Sequence, residues 1–127
     1  MKNGIRIVLA MLLVHTVMMK GYTSPQATEP KDDFPKKVSG ILENSCYDCH
    51  TTGSEADKAL DALDFKKWED YKLTKKISLL TKICEVVEKG DMPPGKYVKQ
   101  DPGKALSESD IKTICNWTKK ESEKLIK

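Results

Sequence analysis

Apolar residues recur at helical spacing along most of this chain, and no stretch alternates with the two-residue period of a half-buried strand. Ile77, Leu80, Cys84 and Val87 fall three to four residues apart, with Leu79, Ile83 and Val86 widening the same face. That spacing predicts a helix from Thr74 to Glu88, stopped by Gly90. Upstream, Val38, Ile41 and Leu42 form one stripe leading directly into Cys46, with Pro35 in the opening turn and Asp33 or Phe34 as the cap. Near the C-terminus Ser107 is a candidate N-cap with Asp110 in the capping-box position, and Ile111, Ile114, Cys115, Thr118 and Leu125 mark the buried side of a last helix. A shorter helix is expected over Ala56 to Leu63. The fold class is therefore all-α, without internal repeats.

The first residues follow another pattern. Lys2 and Arg6 precede an apolar run from Ile7 to Val14, extended by Val17, Met18 and Met19, which is the layout of a secretory leader. Residues 1–27 are expected to be that leader, residues 28–32 a linker, and residues 33–127 a single domain. The linker closes a Pro- and Thr-rich stretch that begins at Thr23, and Ala27 is the best small residue for cleavage. A retained membrane anchor is the alternative, but the apolar run is shorter than the roughly 20 residues a spanning helix needs, and His15 interrupts it. The expected location is the periplasm or another exported compartment. Charge adds little: Lys2, Arg6 and Lys20 carry the formal +3, and beyond residue 27 there are 19 lysines against 19 acidic residues. That balance argues against a general basic face for nucleic acid or anionic lipid. Lys66, Lys67, Lys72, Lys75, Lys76 and Lys82 do cluster, but Glu69, Asp70 and Glu85 are interleaved. A solvated helix face is the better reading than a docking rim.

The most informative residues are Cys46-Tyr47-Asp48-Cys49-His50, a C-x-x-C-H run. Two thiols at this spacing can form thioethers with both vinyl groups of one porphyrin, and the adjacent imidazole then falls beneath the iron. A bare C-x-x-C would also suit a redox disulfide or a zinc site; the following His removes most of those readings. With the leader gone, His50 and Met92 are the only histidine and methionine left. Met92 is then the one ordinary candidate for a second axial ligand, a lysine amine being the poorer substitute. The surrounding Gly90-Asp91-Met92-Pro93-Pro94-Gly95 cannot be helix interior, because two prolines remove donors and fix the backbone. A stiff loop suits a weak thioether ligand. One covalent haem c is the expected cofactor, held by Cys46, Cys49, His50 and Met92, with His50 and Met92 on the metal. A domain of about 95 residues has a marginal apolar core, and haem enclosed by the helix stripes with Phe65, Trp68, and Tyr97 or Trp117 would enlarge it. Trp68 and Tyr97 are also candidate donors to a propionate.

From about Phe34 to Lys120 the chain resembles the class I-like monohaem cytochrome c superfamily. More narrowly it is similar to a small haem-binding domain family of exported bacterial proteins. The likeness is carried by the C-x-x-C-H run, Leu63-Asp64-Phe65-Lys66-Lys67-Trp68, Ile83-Cys84-Glu85-Val86-Val87, Met92-Pro93-Pro94 followed by Tyr97, and Leu106-Ser107. The resemblance implies a cytochrome c-like helical domain around one covalent haem, export and electron transfer. Many members carry Asn where this chain has Asp64, and more aromatic residues where it has Thr51-Thr52-Gly53-Ser54, which implies a more open haem edge here.

Cys84 and Cys115 remain, each on an apolar helical stripe. As free thiols they would be small buried hydrophobes; in an oxidising compartment a disulfide is favoured if their Cα atoms approach within about 7 Å. The function expected is an electron carrier rather than an enzyme, working with a redox partner protein, since the mature chain has no spare histidine for acid–base chemistry. The alternative is a five-coordinate haem protein that binds or reduces a small ligand, a peroxidase or gas sensor in which Met92 stays off the iron. A haemless disulfide or metal module would need Cys84 or Cys115 beside the motif to complete a tetrahedral set.

Overall fold

The apolar stripes do become helices: in a computed structural model that describes residues 34–127, five α-helices and two 3₁₀ segments account for all regular structure, with no strand. The leader and linker expected over residues 1–32, and Asp33, lie outside the described residues. Helix α1 (Lys36–Ser45) opens after Pro35, whose carbonyl accepts from the amides of Val38 at 2.7 Å and Ser39 at 3.0 Å. Phe34 is not its cap. The Phe34 ring is buried instead, edge-on to Phe65, Trp68 and Trp117 with centroids 5.9, 5.6 and 5.5 Å away. Burying a phenylalanine is worth about 1.5–3 kcal/mol, with more from each edge contact, and a phenyl ring has no acceptor with which to cap a helix. Core packing therefore decides where the chain enters the helix.

Helix α2 (Asp57–Ala62) is short, and α3 (Leu73–Glu88) starts one residue before the expected Thr74. Helix α4 (Gly95–Gln100) follows the two prolines, and α5 (Glu108–Ile126) closes the chain behind a complete Ser107–Asp110 capping box. Helices α3 and α1 both pack on α5. Leu79, Leu80, Ile83 and Val87 of α3 are buried, as are Ile114, Trp117 and Thr118 of α5 and Val38, Ile41 and Leu42 of α1. A disulfide joins Cys84 of α3 to Cys115 of α5, with Cα atoms 4.8 Å apart. No helix among the described residues is long and apolar enough to cross a membrane.

Short elements not evident from periodicity fill the connections. The 3₁₀ segment Phe65–Asp70 is capped by Asp64, whose Oδ1 accepts the Lys66 amide, and Asp101 caps Pro102–Lys104 through the Gly103 amide. Helix α4 was illegible because it begins on glycine after two prolines, the composition of a turn. Helix α3 ends in a Schellman arrangement: Gly90, at φ 72°, donates to the Val87 carbonyl at 3.2 Å, and Asp91 donates to Val86 at 2.9 Å. Met92 donates to the same Val86 oxygen at 3.2 Å. The end of α3 thus fixes the start of the Met92 loop.

The disulfide spans a sequence separation of 31 residues, so chain-entropy reasoning gives it about 2–4 kcal/mol. Replacing both Cys84 and Cys115 by serine should lower the free energy of unfolding in urea by that amount. An unchanged midpoint would mean that α3–α5 packing sets stability without the bridge.

Candidate functional site

A cavity of about 830 Å³ opens between the end of α1, helix α2, one face of α3, the Met92 loop and α4. Its size lies within the range of roughly 300–1,000 Å³ usual for ligand sites. Cys46, Cys49, His50 and Met92 all line it. The C-x-x-C-H run and the loop, 42 positions apart from His50 to Met92, are therefore walls of one chamber. Phe65, Leu79, Ile83, Val86, Val87 and Leu106 supply apolar surface between them.

His50 is oriented by backbone rather than by another side chain. Its Nδ1 lies 3.1 Å from the Ala59 carbonyl oxygen and 3.0 Å from that of Leu63. Carbonyls only accept, so Nδ1 carries the proton and in the neutral tautomer the lone pair falls on Nε2, the form a metal-binding imidazole uses. Both carbonyls come from α2 and the residue that ends it, which gives this short helix its purpose. The His50 carbonyl in turn accepts from the Phe65 amide at 2.9 Å, so backbone and ring are both held.

The two motif thiols are half-buried and unbridged. Burial, with Cys49 beside it, pushes the Cys46 thiol up to about 12. A reactive redox C-x-x-C pair lowers a thiol pKa, so the environment here is the opposite of a thioredoxin-like site. Zinc fares no better. Among the described residues, the one grouping of three potential ligands within reach of a common ion is Cys84, Glu88 and Cys115, and its two sulfurs are bonded to each other. The motif cysteines and His50 have no fourth partner there to complete a tetrahedral set.

Polar residues after the motif turn inward on the backbone rather than framing the cavity. Thr51 Oγ1 donates to the Tyr47 carbonyl at 2.7 Å, and Ser54 Oγ to that of Cys49 at 2.9 Å. Asp64 is buried and accepts from the Thr52 amide at 3.0 Å, the Thr52 hydroxyl, and the Lys66 amide at 3.0 Å, with Lys67 Nζ 3.8 Å away. Burial opposes ionisation of this carboxyl, but the Thr52 and Lys66 donors and the Lys67 charge outweigh it and hold the pKa below the usual aspartate range. Asp64 thereby ties the turn after His50 to the segment bearing Phe65.

Of the aromatic residues expected against the cofactor, Phe65 and Tyr97 line the cavity. Trp68 does not: it stacks behind Phe65 with centroids 6.4 Å apart, and also meets Trp117 at 6.3 Å. Burial in the aromatic cluster gives it a better apolar contact than the cavity wall, and Trp117 behaves likewise. Tyr97 donates its hydroxyl to Asp48 within the motif, and Lys104 Nζ lies 2.9 Å from the same carboxylate oxygen. The Tyr97 bond first, then Lys104, holds Asp48 below the ordinary carboxylate range. Sequence reasoning missed the carbonyls of Ala59 and Leu63, which no side-chain pattern reports, and it missed Asp48, which occupies a variable position inside the motif.

An apolar chamber with two unbridged thiols, an imidazole oriented through its Nδ1 and a thioether on its walls has the donor set and size for haem. The sequence model of a family described as a haem-binding domain matches residues 52–120, more than half of the chain, and the protein belongs to that family. It is a haem-binding protein. The matched residues include Asp64, α3, the Met92 loop and Tyr97, and begin two positions after His50. No curated protein and no solved structure gave a significant match.

Asp64 yields a signed pH test. Its lowered folded-state pKa means that its stabilisation is full above the unfolded value of about 4 and disappears as pH falls through the folded value. Asp64→Asn can keep the oxygen that accepts the Thr52 and Lys66 amides, but it loses the charge and the second oxygen, which accepts from the Thr52 hydroxyl. The stability advantage of wild type over this variant should be constant above about pH 5 and shrink below about pH 4 in urea titrations. Asp64→Ala removes the acceptor of both part-buried amides and should cost about 1–2 kcal/mol at neutral pH.

Proposed function

We propose that this protein is an exported monohaem c-type cytochrome that transfers single electrons, anchored through Cys46 and Cys49 and ligated axially by His50 and Met92. One observation carries the proposal: the two carbonyls at His50 Nδ1 free its Nε2 in the same cavity that holds both motif thiols and the Met92 thioether. A bound haem supplies reversible one-electron iron chemistry, with His/Met ligation favouring the reduced state.

The rest of the work belongs to the chain. Cys46 and Cys49, unbridged and bordering the cavity, are available to form thioethers. His50 is oriented by the Ala59 and Leu63 carbonyls, and the Val86 carbonyl holds the backbone of Met92. Apolar walls from α3 exclude water and disfavour added positive charge, which pushes a reduction potential upward. No second histidine lies among the cavity residues to move protons, which favours a carrier over an enzyme. Export is supported by the leader-like pattern of residues 1–27 and by a disulfide, which persists in oxidising compartments. A redox partner protein is required, but the lysine cluster does not identify its docking face. Lys67, Lys76 and Lys82 lie beside Asp64, Glu69 and Glu85, as on an ordinary solvated surface.

The test is spectroscopic. Expressed with cytochrome c maturation machinery, the protein should keep its haem through denaturing electrophoresis and show the weak far-red ferric band of iron–thioether bonding. Met92→Ala should abolish that band and lower the reduction potential by on the order of 100 mV. If Met92→Ala leaves the spectrum untouched, the five-coordinate reading, with peroxide or a gas at the open position, replaces the carrier.

A further inference from the structure

We infer that Asp48, Tyr97 and Lys104 form a clasp that positions the Met92 loop over the cavity, tying the thioether side of the site to the imidazole side. The inference rests on Met92 being an axial ligand and concerns what holds it there.

The two ends of the Met92 loop are secured differently. The upstream end is fixed by Val86 and Val87 at the end of α3, which is itself bridged to α5. The downstream end enters α4, a six-residue helix that has no side-chain cap and buries none of its residues. Apolar packing holds it only through the half-buried Tyr97 and Val98. What else anchors it is polar, and every link lands on the end of α1 or on the motif. Tyr97 donates to Asp48 Oδ2, Lys104 Nζ lies 2.9 Å from that oxygen, and Asn44 Nδ2 donates to the Gly103 carbonyl at 3.0 Å. Asp48 stands between the two motif thiols and one residue before Cys49-His50. One carboxylate oxygen thus joins the segment that carries His50 to the segment that follows Met92.

Exposure limits what such links contribute to global stability: the Asp48 and Lys104 side chains are 52% and 23% accessible, and exposed ion pairs give little. Local opening is another matter. A loop held by few contacts opens at a much smaller free energy than the whole domain, so a modest link changes its open fraction by the same factor. The clasp should therefore be visible in ligand exchange at iron and almost invisible in overall unfolding.

Cyanide added to the full-length ferric holoprotein can bind only where Met92 has left the iron, so its apparent affinity rises with the open fraction. Tyr97→Phe, which removes one hydroxyl, should raise cyanide affinity about threefold to fivefold. The far-red band should vanish at a lower temperature, while the far-ultraviolet unfolding transition stays in place. Lys104→Met should act in the same direction. In an Asp48→Ala background Tyr97→Phe should add nothing, because both act through one oxygen; if Asp48→Ala does not mature, Lys104→Met serves as the second arm. Met92→Ala is the reference. If it raises cyanide affinity and Tyr97→Phe does not, the clasp is wrong although the ligation stands; if Met92→Ala also has no effect, the ligation reading falls and takes the clasp with it.

Discussion

The site depends on one unglamorous contact, the pair of backbone carbonyls that His50 Nδ1 faces at 3.1 and 3.0 Å. Those oxygens choose the tautomer, and the tautomer decides whether Nε2 can be a ligand at all. Placing them requires a helix turn directly after the motif, because Ala59 and Leu63 are four residues apart and must present their carbonyls to one atom. Helix α2 buries none of its residues and has no side-chain cap, so its own stability cannot explain it. It is held by its ends. Leu63 and Phe65 are buried, and Asp64 between them grips Thr52 across the turn. Removing Asp64 would loosen the segment that carries the Leu63 carbonyl, and through it the orientation of His50.

The opposite wall is secured by different physics. There the Met92 loop inherits its position from α3, whose last carbonyls accept from Gly90, Asp91 and Met92. Glycine is required at residue 90 because φ is 72°, a backbone region that side chains disfavour. Helix α3 is in turn fixed to α5 by apolar packing and by the Cys84–Cys115 bridge, one turn before that end. A weak ligand needs such an arrangement more than a strong one does. Imidazole binds through its intrinsic basicity, whereas a thioether stays only where the chain prevents its departure.

Much of this could be read from the sequence, for identifiable reasons. The three long helices follow from period, cap and glycine stop, since each buries one continuous stripe and nothing competes with that signal. His50 and Met92 stood out in the sequence because they are the sole residues of their kinds outside the first 27 positions, and the fold places both on the wall of one cavity. What stayed hidden was whatever depends on tertiary direction or on backbone atoms. Trp68 lies three residues after Phe65, yet the 3₁₀ segment sends one ring to the cavity and the other behind it. Helix α4 carries the composition of a turn and exists because the chain around it holds it. Phe34 had the sequence position of a cap, but a phenyl ring accepts no hydrogen bond, and it is buried in the core instead.

Core and site are not separate regions of this fold. Leu63, Phe65, Leu79, Ile83 and Val87 belong to the buried core and also line the cavity. Phe65 shows how: it meets Phe34 and Trp68 in the core and also lines the chamber. In a domain this small, such sharing enlarges the apolar interior without lengthening the chain. It also couples the two ligand-bearing walls. A change at Phe65 reaches His50 through the amide that its carbonyl accepts, and a change at Val87 reaches Met92 through the turn that ends α3. A cofactor seated between them would bear on both sides of the same residues, so its binding free energy adds to the free energy of folding. The placement of His50 and Met92 is thus set by the packing of the core they share, and core substitutions far from the motif should alter the cavity between them.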